Sequence, residues 1–283
     1  MSPTALRRWL SFKVKHWKSC FRGRLLALFG RHAAGIFVEA PWGLMLIDPI
    51  DGHVSRQFLR AGQYNEEEVR SLLRLLNPTD RMLIVGGHIG GVAIPLSKHV
   101  QSLDVVEASP ANHRLLLANV ALADARNVTV HHWAASDDEG DLEFLISSEN
   151  SGGSKRRPTL LRSNYDYDNP VAVKVPAYRL DEKFESDFDV ILLDIEGSEY
   201  FAMHGAKRLI KNSRVFIFEF IPDHLRNVAG VTLSSFLENI PLHQFTRAIL
   251  PRRNLELSPS RLPAELAKIF EENEYEDGII LTR

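Results

Sequence analysis

With one cysteine, Cys20, in 283 residues, the chain cannot close an intrachain disulfide, and nothing in it points to an oxidising compartment. Long apolar runs are also missing: none approaches the ~20 residues needed to cross a bilayer. The first residues carry Arg and Lys throughout, so a secretory signal is not expected. Two phosphate-binding signatures are absent as well. No Gly-Lys-Ser or Gly-Lys-Thr occurs, which excludes a Walker A loop, and the one glycine cluster lacks the second glycine of a dinucleotide fingerprint. What remains is an ordinary globular composition, 45% apolar and 25% charged, in a chain long enough to bury one large core without metals or disulfides.

Charge is unevenly placed. Residues 1–32 hold eight Lys or Arg and no Asp or Glu, leaving 26 basic against 36 acidic residues in the rest. An acidic body argues against a nucleic-acid partner held on a broad basic face. Within the basic segment, Leu6, Leu10, Val14, Trp17, Phe21, Leu25 and Leu28 recur at helical spacing, with Arg8, Lys15 and Arg22 roughly opposite. An amphipathic helix is expected over 1–34. Its stripe has three readings: packing on the body or on a second subunit of a homodimer, contact with a membrane surface, or a cleaved targeting peptide. A cytoplasmic protein is expected, with this segment as the part that would touch the inner membrane surface.

Residues 35–79 read as a β-hairpin, with Ile36 to Glu39 and Leu44 to Ile47 flanking Pro41-Trp42-Gly43, followed by a helix from about Asn65 to Leu76. Glu66, Glu67 and Glu68 suit the positive end of that helix dipole. From 80 to 283 strands and helices alternate. Strands are expected at Met82–Val85, Leu103–Val106, Val128–Ala135, Val190–Leu193 and Val215–Phe218, and later near His243–Ile249 and Gly278–Thr282. Helices are expected at Val92–His99, Ala111–Ala123, Glu199–Lys211 and Ala264–Glu271. Short, continuously apolar strands between amphipathic helices specify an α/β fold, a mostly parallel sheet covered on both faces. An insertion is expected around 141–170, where Ser147–Asn169 is rich in Ser, Gly, Asn, Asp and Tyr and reads as a long exposed loop.

Ligands of such sheets bind beyond the carboxyl ends of the strands. The first core strand ends in Gly86-Gly87-His88-Ile89-Gly90-Gly91, where missing side chains let a ligand approach the backbone. The second ends in Glu107, placed to accept both hydroxyls of a ribose. A nucleoside without a pyrophosphate fits this pair best. Asp194, Glu196 and Glu199 crowd a third strand end, where they could raise one another's pKa or hold a divalent cation. Glu199 could equally serve the helix start that Ser198 caps. His131, His132 and His204 offer no matching ligand set, so no zinc site is expected.

Over residues 45–250 the chain resembles the FkbM-type methyltransferases. The resemblance rests on Asp48-Pro49…Asp51 with Ser55-Arg56-Gln57, on Gly62-Gln63-Tyr64, and on the glycine loop. It continues through Glu107-Ala108-Ser109-Pro110-Ala111-Asn112, Ala134-Ala135-Ser136-Asp137, Leu180-Asp181, Asp194-Ile195-Glu196-Gly197-Ser198-Glu199 and Phe218-Glu219. It implies a class I, Rossmann-like fold with a seven-stranded sheet, S-adenosylmethionine as donor, and O-methylation of a sugar, glycan, polyketide or similar small acceptor. It also implies site roles: Gly86, Gly87, His88 and Gly90 around the methionine part, Glu107 on the ribose, the turn of Ala134, Ser136 and Asp137 at the adenine, Asp194 beside sulfonium and acceptor, and Asp194 with Glu196 as catalytic groups. The chain departs from the family at Ile84, where an acid is usual, at Gly87-His88 for Ala-Asn, at Leu192 for lysine, and at Asn65 for glutamate. His88 is expected to stand in for the acid that Ile84 replaces. The other reading is a fold-retaining pseudoenzyme that binds a partner or a different ligand.

Overall fold

The computed structural model describes residues 35–49, 51–160 and 168–283, so the expected basic helix over 1–34 lies outside the described residues. The chain enters through the expected hairpin, β1 (Ile36–Ala40) and β2 (Gly43–Ile47), and then forms two helices, α1 (Val54–Ala61) and α2 (Glu66–Leu73). The sequence reading missed α1, although its signals are local. Asp51 Oδ1 accepts from the amides of His53 and Val54 at 2.7 and 2.8 Å, and Gly62 ends the helix in the left-handed region at φ 71°.

The core follows as β3 (Arg81–Val85), α3 (Ala93–Ser97), β4 (Ser102–Val106), α4 (Pro110–Leu122) and β5 (Val128–His131). Ser109 caps α4, accepting from Asn112 N, with Pro110 in the first helical position. Asn119 of α4 holds the hairpin to the core: it bonds Leu46 in both directions and donates to Ile89 O at 2.8 Å. The expected strand Val128–Ala135 is broken at His132-Trp133. Its second part, β6 (Ala134–Ala135), joins β7 (Gly140–Ile146), β8 (Lys155–Arg156) and β9 (Val171–Tyr178) in a separate four-stranded sheet. The expected loop Ser147–Asn169 runs between β7 and β9, which pair antiparallel, and contributes the two-residue strand β8, paired antiparallel with β7. Residues 161–167 lie outside the described residues.

Next come β10 (Val190–Leu193), α5 (Glu199–His204), α6 (Lys207–Asn212) and β11 (Val215–Phe220). The single helix expected over Glu199–Lys211 divides at Gly205, where an added Cβ would meet Ser136 O at 2.1 Å. The second half is capped from a distance: Asp181 accepts from Arg208 N and Leu209 N at 2.8 and 3.0 Å. The chain ends with β12 (Arg247–Leu250), β13 (Leu255–Leu257), α7 (Leu262–Glu272) and β14 (Glu276–Thr282).

The main sheet runs β13-β12-β14-β11-β10-β3-β4-β5, eight strands rather than the expected seven, because β13 adds a short edge. From β5 to β11 all pairings are parallel, and β14 is antiparallel to β11. Strand order reverses between β3 and β10, so the crevice beyond their carboxyl ends is the place where this architecture takes a ligand. The residues that fill β3 and β10 explain their burial: Met82 to Val85 and Val190 to Leu193 are each at most 4% exposed, with apolar layers on both faces.

Candidate active site at the strand ends

A cavity opens at this switch point. One end is lined by Glu107, Asn112, Trp133, Ala134, Leu142 and Phe144, the other by Tyr64, Glu68, Ile84, Leu192 and Asp194. No Lys or Arg lines it among the described residues.

Glycine is required at Gly86. Its φ is 98°, and an added Cβ would stand 1.8 Å from Asp194 O, so the loop after β3 and the end of β10 meet backbone to backbone. Gly87 lines the cavity too, but Gly90 does not; a Cβ there would strike Ile94 and Leu116, which makes it a packing position.

Glu107 is buried, with both carboxylate oxygens facing backbone amides. His88 N donates to Oε2 and Ser109 N to Oε1, each at 2.7 Å. Burial pushes its carboxyl up to about 7 against those hydrogen bonds. The carboxylate also lines the cavity, where it can accept from hydroxyl donors.

His88 lines the cavity as well, and it is held by a partner the sequence did not suggest. Its backbone is left-handed at φ 48°, and its ring bonds Ser151 Oγ at 2.7 Å. Ser151 Oγ in turn donates to Asp51 Oδ2, so the hydroxyl accepts from His88 and the ring proton is assigned to Nε2. Burial holds this histidine down at about 4, neutral at physiological pH. Ser151 N also donates to Asp51 Oδ2 at 3.1 Å, and Asn112 Nδ2 donates to Ser151 O at 3.2 Å. The stretch Asn150 to Lys155 is thereby strapped across the cavity from three sides. Sequence reasoning saw only a polar loop here.

At the end of β10, Asp194 keeps accessible surface, yet it stands among protein atoms and other carboxylates, so that surface is cavity wall. Burial, and then the charge of Glu196, drive its carboxyl well above the usual range. Glu196 has a left-handed backbone at φ 53°, a conformation that marks stored strain at functional turns. Glu199 is structural: its two oxygens accept from Ile195 N and Gly197 N at 2.9 Å each, closing the turn that presents the other two acids. Burial lifts its carboxyl to about 7. Glu219, half-buried on β11, is also pushed well above its ordinary value, first by desolvation and then by Asp194.

Ala134 lines the cavity. Ser136 and Asp137 do not: Ser136 N donates to Tyr178 O, and Asp137 O accepts from Arg179. Trp133, Leu142 and Phe144 were not singled out from sequence, and they form the apolar side of that end. His131 bonds Asp104 at 2.7 Å and His132 stacks on His113, both structural pairings.

A second cavity of about 270 Å³ shares Glu196 with the first. Lys155, Asp168, Asp223, His224 and Ser147 line it. Lys155 Nζ lies 3.3 Å from Glu196 Oε2 and 3.5 Å from His224 Nε2. Burial and the nearby Lys155 hold His224 down at about 4. Among the described residues no group of three or more His, Cys, Asp or Glu is arranged to hold a metal ion, and no helix is long and apolar enough to cross a membrane.

Residues 85–257 match the family described as the methyltransferase FkbM domain. A comparison with curated proteins finds no match. Among solved structures the chain is similar to methyltransferase FkbM from Methylobacillus flagellatus KT, at 15% identity and a TM-score of 0.44, over 83% of this chain and 48% of that one. This chain thus spans about half the length of that protein. It is also similar to a TehB-like SAM-dependent methyltransferase from Corynebacterium glutamicum (14% identity, TM-score 0.44, 81% of this chain and 94% of that one). A third likeness is to M. jannaschii TYW2 in complex with AdoMet (10% identity, TM-score 0.41, 88% and 85%).

Proposed function

Because the chain belongs to the methyltransferase FkbM family and its donor is S-adenosylmethionine, we propose that it methylates a hydroxyl of a sugar, glycan, polyketide or similar metabolite. The observation that carries this reading is the seam between the two cavities, where Glu196 lines both and Asp194 lines the first.

The first cavity suits the donor. Glu107 accepts the two ribose hydroxyls, Trp133, Leu142 and Phe144 bed the adenine, and a wall rich in carboxylates with no lining cation favours a positively charged ligand. When bound, the donor supplies an electrophilic methyl group on a sulfonium that leaves readily. The protein's task is then mainly alignment, worth up to ~7–11 kcal/mol when the reacting atoms are held in line. A hydroxyl must also give up its proton. Asp194, with its carboxyl held above the ordinary range, is the base, and Glu196, anchored by Lys155, orients the hydroxyl. The second cavity offers the acceptor a polar lining of mixed charge.

The test is a transfer assay with labelled donor against polyols, monosaccharides and glycans. Label recovered in an ether linkage, with turnover cut at least ~100-fold by Asp194→Asn while donor binding stays, supports the reading. Label on nitrogen or on nucleic acid overturns it. One observation favours the pseudoenzyme reading: Ile84, the last residue but one of β3, is apolar rather than an acid. Calorimetry decides, since a wild type giving no heat with donor at millimolar concentration is no enzyme of this kind.

A further inference from the structure

The amino-acid end of the donor carries an ammonium group, which must lose water on entering the cavity and needs a carboxylate to replace it. Of the acids around the cavity, most have other work. Glu107 lies at the ribose end, held by His88 N and Ser109 N. Glu199 spends both oxygens on the turn after β10. Glu196 stands at the seam with the second cavity, where the methyl group must be handed over, and Asp194, on the wall of the first, is the base of the proposed transfer. At the far end the sheet itself offers nothing polar in side chains: Ile84 and Leu192 are partners in register and both are buried.

Glu68 closes this end. It projects from the first turn of α2, and the same helix seats Val69 and Leu72 in the layer that contains Met82, Ile84 and Leu192. Unlike Glu66 and Glu67, which are exposed, Glu68 is half-buried and lines the cavity. Its carboxylate is aimed rather than loose. Asn65, left-handed at φ 46°, donates from Nδ2 to Glu68 Oε2 at 2.7 Å, leaving Oε1 for a ligand.

We infer that Glu68 accepts the donor's ammonium group, and that Asn65 is the positioning residue that holds it there. The contact comes from the helix that precedes β3 and not from β3 itself. Burial raises the Glu68 carboxyl, with Asp277 adding to the strain, so a bound cation relieves an existing cost. Tyr64 and Asp194, also facing this end, are the remaining groups in its field.

The inference rests on the donor reading and is tested separately from it. Binding of S-adenosylhomocysteine, its deamino analogue and methylthioadenosine is measured by calorimetry on wild type, Glu68→Gln and Asn65→Ala. Glu68→Gln should weaken S-adenosylhomocysteine roughly 10- to 100-fold, the span of one charge-assisted hydrogen bond. It should leave the two ligands without an amine within about twofold, and Asn65→Ala should fall between wild type and Glu68→Gln. Unchanged affinity for S-adenosylhomocysteine in Glu68→Gln overturns the inference. So does an equal loss for all three ligands, which would make Glu68 a structural residue of α2. A wild type that binds none of the three overturns the donor reading itself.

Discussion

Single residues carry the sharpest consequences at this site. The place of Glu107 at the cavity was legible in the sequence because it follows the second core strand directly. Its energetic setting was not, since burial and amide contacts depend on how the chain folds back. Its carboxyl stands at about 7 against an ordinary 4.5, so the folded chain holds the proton more tightly than the unfolded one. The sign follows: the contribution to stability is greatest below about pH 4.5 and is lost as pH rises through 7, by up to about 3 kcal/mol. Glu199 acts in the same direction. The ligand-free protein should therefore melt at lower temperature at pH 8 than at pH 5.5, and Glu107→Gln should flatten that slope. A melting temperature that rises over this range would show that other groups dominate. His88 teaches the opposite lesson. It lines the cavity as a residue beside the glycines was expected to, but its partner Ser151 is 63 positions away and no local pattern announces it.

Elements were read well where their signal is local. β3, β10 and β11 are continuous apolar runs, and α4 opens with Ser109-Pro110, so each was visible as a pattern. The second sheet was hidden because its signal is divided between distant strands. β7 buries only Phe144 and Leu145, one on each face, and β9 contains Pro176 with Asp141 opposite it, a pairing 35 residues apart in sequence. The strap between β7 and β8 is the functional yield of that sheet, for the pairing of Leu145 with Lys155 returns the chain across the cavity. Ser151 is its fastener. Ser151→Ala removes the bonds to His88 and to Asp51 through oxygen while keeping those of its backbone. The expected outcome is faster amide exchange over 147–155 in the ligand-free protein, with the melting temperature lowered modestly, by ~1–2 kcal/mol of stability. Exchange at the wild-type rate would mean that the backbone bonds alone hold the strap.

At the scale of the molecule, charge is the organising fact. Residues beyond 32 carry an excess of acid, and four acids, Glu68, Glu107, Asp194 and Glu196, line the first cavity. S-adenosylmethionine is one unit more positive than S-adenosylhomocysteine, so raising the salt concentration should weaken the first more than the second. The basic stretch 1–32 is the counterweight. The full chain should sediment with anionic vesicles at low salt and be released at high salt, whereas a chain starting at residue 33 should bind donor equally well and stay in solution. If both chains ignore the vesicles, the stripe serves packing or a second subunit instead.

The strap also has a bearing on the timing of catalysis. Ser151, Gly152 and Ser154 face the donor cavity, and their immediate neighbours Asn150, Gly153 and Lys155 face the second one. One short ribbon is thus a wall of both rooms, and whatever steadies one side shapes the other. Turnover should then follow a compulsory order, donor first and demethylated donor last. In initial-rate measurements S-adenosylhomocysteine should compete with S-adenosylmethionine but not with the acceptor. Ser151→Ala should relax that order toward random addition, because a loosened ribbon no longer waits for the first ligand before forming the site for the second.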